Sequence, residues 1–75
     1  MPRNSEPGLK NHVRELRMKC EGMTQQALAD RVGVTRQTIL ALEGSAYTPS
    51  LALALRIAKT FEKSIEEIFW LEEKG

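Results

Sequence analysis

Arg36 and Gln37 are the residues of this chain with the most to offer chemically. They stand side by side directly after Thr35, a residue type that favours the position just ahead of a helix, so both are expected on the first exposed turn that follows. A guanidinium can make two parallel hydrogen bonds to one edge of guanine, and a carboxamide can do the same on adenine. Leu40 and Ala41 come one turn later; both can meet a thymine methyl, and burial is the alternative for Leu40. The hydroxyls of Thr35 and Thr38 can reach phosphates. Gln25 opens an earlier helical pattern, where backbone amides and the helix dipole favour an anion, with Gln26 beside it. Lys10, Arg14 and Lys19 qualify as phosphate contacts by charge alone, and a solvated surface would explain them equally well.

Other chemistries are poorly served. His12 is the only histidine, with no group to orient it as a base and no carboxylate cluster nearby, and is expected at the surface. Cys20 is the only cysteine, so no disulfide forms within the chain and no paired-cysteine zinc site exists; it is expected to pack. With no nucleophile–base pair and no metal cluster, the expectation is a non-enzyme without cofactor or evident small-molecule ligand. A single thiol, expected reduced, fits a cytoplasmic protein. Residues 1–8, with Pro2, Pro7 and Gly8, read as a flexible polar arm rather than a signal peptide, and no run approaches the ~18 apolar residues of a membrane span.

The formal net charge is only +1, little for a nucleic-acid binder, but it is unevenly spread. Residues 9–40 hold six basic side chains against three acidic ones, whereas residues 62–75 hold five acidic against two basic. Attraction to phosphates needs local charge, which the first stretch has.

The elements that must hold Arg36 and Gln37 follow from apolar spacing. Seventy-five residues make one domain, expected over residues 9–72. Leu9, Val13, Leu16 and Cys20 share one helical face, with Gly22 as the stop. Thr24 caps a second helix with Ala27, Leu28 and Val32 inward, closed by Gly33. The third opens at Thr35, runs to about Glu43 with Ile39 and Leu42 inward, and stops at Gly44. Thr48 or Ser50 caps a fourth helix to about Phe61; it is apolar nearly all round and is expected to be enclosed on most sides. Ser64 and Glu67 form a capping box for a short fifth helix, and Phe69-Trp70-Leu71 reads as an extended tail. Met18 and Met23 are expected to fill gaps.

Residues Gln25–Gly44 thus make two short helices around a tight turn. Ala29 is small enough for a close crossing, Gly33 supplies the turn, and Ile39 anchors the second helix from behind. This stretch, with Ala29, Gly33 four residues on and Ile39 six after that, resembles the Cro/cI-type, or xenobiotic response element (Xre), helix-turn-helix family. Glu43-Gly44, Tyr47-Thr48-Pro49-Ser50-Leu51 and Leu53–Ala58 are similar to the family's passage from third to fourth helix, and Ile65-Glu66-Glu67-Ile68-Phe69 resembles a small dimeric subgroup. The likeness covers roughly residues 9–72.

The resemblance implies an all-α, five-helix, lambda-repressor-like domain that regulates transcription on double-stranded DNA, its third helix in the major groove. It also implies a short antiparallel β pair between the residues around Lys10-Asn11 and those of Phe69–Leu71. Arg17 and Glu43 match the family's buried salt bridge, although Arg17 precedes Gly22 by five residues where members usually have four. One recognition helix reads too few base pairs for a genome, so a homodimer on a palindromic operator is expected. Leu53, Ile57, Phe61, Ile68, Phe69, Trp70 and Leu71 offer more apolar surface than one small core needs and are the expected seam. The competing reading is a protein-interaction module such as an antitoxin-like partner; Arg36 and Gln37 at the reading positions favour the regulator.

Overall fold

In a computed structural model, the structure describes residues 8–72; most of the expected arm, residues 1–7, lies outside them. The elements run β1 (Leu9–Asn11), α1 (Val13–Lys19), α2 (Gln25–Val32), α3 (Arg36–Glu43), α4 (Leu51–Phe61), α5 (Ile65–Ile68) and β2 (Phe69–Leu71). Five helices and a short two-stranded sheet bear out the expected helical domain with a terminal β pair.

Side-chain oxygens start most of the helices. Thr24 accepts from the Ala27 amide, Thr35 from Thr38 and Ser50 from Leu53, each satisfying one of the donors a helix start leaves open. Ser64 and Glu67 form the full capping box of α5, each side chain accepting from the other's backbone amide. These bonds hold the Glu67 carboxyl below the usual carboxylate range, helped by the nearby Lys63 charge. Gly33 closes α2 in the left-handed region at φ 77°, and the amides of Gly33 and Val34 both donate to the Ala29 carbonyl.

The first helix departs from expectation at both ends. Leu9 is not on its face; it lies in β1, paired antiparallel with Leu71, while Lys10 faces Trp70 and Asn11 faces Phe69. Pairing with the tail claims these backbone groups, so α1 begins only at Val13. His12, at its N-cap, makes no side-chain capping bond; the Asn11 carboxamide accepts from the Val13 amide instead and donates to the Leu42 carbonyl at the end of α3. The helix ends at Lys19, and Gly22 (φ 77°) serves the following turn rather than the helix stop.

The core gathers Val13 from α1, Leu28, Ala29 and Val32 from α2, Ile39 and Leu42 from α3, and Leu53, Ala54, Ile57 and Ala58 from α4. Ile68 and Phe69 close its end. Ala27 is only half-buried, so the inward face of α2 is carried by Leu28, Ala29 and Val32. Met23 packs on the core, but Met18 is exposed and fills no gap. Nor is α4 enclosed: Leu51 and Leu55 are 71% and 53% exposed. A chain this small has too few elements to cover both faces of a helix, so α4 is buried along one stripe only.

Candidate nucleic-acid interface

The α2–turn–α3 unit is rigid for local reasons. Ala29 and Ile39 are fully buried at its centre, Gly33 makes the turn, and the Arg56 guanidinium, reaching over from α4, donates to the Val32 carbonyl at the end of α2 (3.4 Å). That last tie joins residues 24 apart, and nothing in the local pattern signals it.

On this support the first turn of α3 faces outward. Arg36, Gln37 and Leu40 flank one shallow depression of about 160 Å³. Leu40 is 51% exposed, which removes the alternative that it is buried, whereas Ala41 is half-buried and offers less surface. Behind them the Thr35 and Thr38 hydroxyls lie 3.1 Å apart, with Thr38 half-buried. The result is a donor fork, a carboxamide and an apolar tip on one side of a helix, a combination suited to an edge that mixes acceptors, donors and methyl groups.

The start of α2 is more closely held than expected. Arg17 and Glu43 form a two-point ion pair, Nε to Oε2 at 2.6 Å and Nη2 to Oε1 at 3.2 Å. The Glu43 side chain is only 4% exposed. The remaining Arg17 nitrogen, Nη1, donates to the Met23 carbonyl, two residues ahead of α2. Gln25 joins the same cluster, its Nε2 donating to Glu43 Oε1 at 3.2 Å. Gln26 instead donates to Asp30 along the exposed side of α2. Arg14 is exposed on α1, while the Lys10 ammonium stands 3.9 Å from Glu72 across the β pair.

A helix-turn-helix family model matches residues 13–68, from the first residue of α1 to the last of α5. The chain belongs to the helix-turn-helix family. The resemblance to its Cro/cI-type (Xre) branch is borne out. An uncharacterized HTH-type transcriptional regulator of Bacillus subtilis, YgzD, is 52% identical over 67 residues, covering 89% of this chain and 100% of that protein. One from Methanothermobacter thermautotrophicus is 53% identical over 68 residues, 89% of this chain and 91% of its own. Another, from Archaeoglobus fulgidus, is 46% identical over 66 residues, 88% and 93% respectively. This is a family of DNA-binding regulators rather than of enzymes.

Within this helix-turn-helix chain the expected dimer seam needs correction. Leu53, Ile57, Ile68 and Phe69 are buried in the chain's own core, and Phe61 packs against it half-buried, because α4 and α5 must close a core with few other elements. Trp70 and Leu71 are exposed, and so are Leu51 and Leu55 on α4, the helix expected to be enclosed on most sides. Leu51 and Leu55 are four residues apart and share one helical face, Leu53 and Ile57 another, so spacing divides the four into two faces without saying which is inward. His12 is exposed, but it is not alone: its ring lies 4.3 Å from that of Trp70, tilted by 40°. Cys20 is half-exposed at the end of α1. Among the described residues no group of His, Cys, Asp and Glu could hold a metal, and no helix is long and apolar enough to cross a membrane.

Proposed function

We propose that this protein is a sequence-specific transcriptional repressor that binds an inverted-repeat operator in double-stranded DNA as a homodimer. The observation that carries the reading is the shared outward face of Arg36, Gln37 and Leu40 on a helix start fixed from behind by the Ala29–Gly33–Ile39 packing. In the major groove, Arg36 pairs with guanine, Gln37 with adenine, and Leu40 and Ala41 meet thymine methyls. Gln25, Gln26, Thr35 and Thr38 hold the flanking phosphates, and Arg14 and Lys10 add charge toward the backbone, Lys10 exchanging its Glu72 contact for a phosphate. The relatives, named as HTH-type transcriptional regulators, support this reading. Such a regulator works in the cytoplasm, on the nucleoid when bound.

The dimer half rests on exposed apolar surface. Leu51, Leu55, Trp70 and Leu71 are large side chains left uncovered on a small domain, and a second copy would cover them. Two copies would place two recognition helices on major-groove faces about 34 Å apart. Selection of bound sites from random duplex DNA tests both halves. An enriched palindrome with half-sites about one helical turn apart is the expected result. Recovery of no consensus would refute sequence-specific reading, and a lone half-site would refute the dimer.

A further inference from the structure

A buried carboxylate at the foot of a DNA-binding face is an odd neighbour for phosphates, and the hydrogen bonds around Glu43 give it a purpose. Its Oε1 accepts from both Arg17 Nη2 and Gln25 Nε2, and its Oε2 accepts from Arg17 Nε. Gln25 is the first residue of α2 and lies beside the amides that a helix start leaves without intrahelical partners. A free glutamine carboxamide can present either its oxygen or its NH2 group to a given neighbour. Next to a carboxylate only the NH2 end fits, because an amide oxygen there would meet a second set of lone pairs. Glu43 therefore locks the carboxamide with its nitrogen inward, and the second Nε2 proton has no partner among the described residues.

We propose that Glu43 is a positioning residue for phosphate binding: it fixes Gln25 so that the second side-chain N–H, together with the open amides of α2, receives a DNA phosphate. Arg17 completes the device. Its charge cancels that of Glu43, so the phosphate meets a neutral, oriented donor, and its bond to the Met23 carbonyl ties the entry of α2 to the same cluster. The proposal rests on the DNA-binding reading and adds to it that Arg17 and Glu43 act on DNA through Gln25, which neither a core ion pair nor a surface glutamine would do alone.

The test is a double-mutant cycle read as DNA affinity. Phosphate contacts are independent of sequence, so a short random-sequence duplex at low salt is the probe, titrated by fluorescence anisotropy. Four full-length proteins are compared: wild type, Gln25→Ala, the paired replacement Arg17→Met/Glu43→Leu, and the triple variant. Replacing both ion-pair partners with apolar residues avoids stranding a buried charge. Gln25→Ala is expected to weaken binding about three- to ten-fold in the wild-type background, the range of one neutral hydrogen bond. In the apolar background, where the amide is no longer locked, the same change should cost less than about two-fold. Equal losses in both backgrounds would overturn the proposal, since Glu43 would then serve the fold alone. A wild-type protein that binds no duplex at any salt would overturn the DNA-binding reading and this proposal with it.

If the paired replacement does not fold by circular dichroism, NMR of the wild-type Gln25 side-chain amide decides instead. Added duplex should shift its outer proton and leave the proton bonded to Glu43 in place. Loss of that bonded signal when DNA binds would overturn the proposal.

Discussion

Gly33→Ala isolates the cost of the turn between the two motif helices. Gly33 has φ +77°, and a Cβ built there meets nothing within 4 Å, so no clash contributes. What remains is the strain of a left-handed residue with a side chain, about 1–2 kcal/mol. A domain of this size is stable by roughly 4–11 kcal/mol at the usual value per residue, so the loss is a sizeable fraction. It should lower the melting temperature by about 4–15 °C. Gly44 supplies the control. It follows α3 as Gly33 follows α2, but its φ is −86°, and its Cβ would sit 3.6 Å from the Leu40 carbonyl oxygen, an ordinary contact. Gly44→Ala should therefore stabilise the protein by about 0.4–1 kcal/mol, through the smaller entropy of its unfolded chain. Thermal melts by circular dichroism, at one protein concentration because association raises apparent stability, measure both. The reasoning fails if Gly44→Ala costs as much as Gly33→Ala. It also fails if Gly33→Ala costs several kcal/mol, which would mean a clash that the backbone does not contain.

Four more outcomes are expected. Arg36→Ala should cost about 1–3 kcal/mol at a selected site and relax preference at one base position, measured by competition between point-mutated duplexes. Glu62 caps α4 with φ 55°, so Glu62→Gly should raise stability by about 1 kcal/mol in urea titrations, by removing left-handed strain. The Glu67 carboxyl is held low mainly by the Ser64 backbone amide, then by the Ser64 side chain, so it stabilises the fold above its unfolded-state value and stops doing so as pH falls through the lower folded-state value. The stability gap between wild type and Glu67→Gln should accordingly be widest near neutral pH and close in acid; a gap that widens in acid contradicts the sign. Finally, Leu55→Glu should leave the monomer folded while abolishing self-association in sedimentation, and an unchanged dimer would remove that face from the seam.

Much of the molecule was legible in its sequence because the signals are local. Thr24, Thr35, Ser50 and the Ser64–Glu67 pair act on amides three residues away or fewer, and each caps the helix it was expected to cap. Gly33 and the small Ala29 set the turn through properties of single residues. The extended tail was legible in Phe69-Trp70-Leu71 itself, and its antiparallel partner near Asn11 and the Arg17–Glu43 pair through resemblance.

Other contacts with distant partners were not legible. Asn11 rather than His12 caps α1, in part because its other end is anchored on Leu42, 31 residues away. Glu43 also accepts from Gln25, 18 residues away, which the expected pairing with Arg17 did not foretell. Apolar composition could not sort Leu53 and Ile57, which are buried, from Leu51 and Leu55, which are exposed, because hydrophobicity gives an affinity for the interior but not which side the interior will be on. Type and spacing thus determined that this chain makes two short capped helices around a glycine turn, with Arg36 and Gln37 at the head of the second. Only the packing of α4 and the β pair against them decided which leucines remain outside, and which carboxylate holds Gln25.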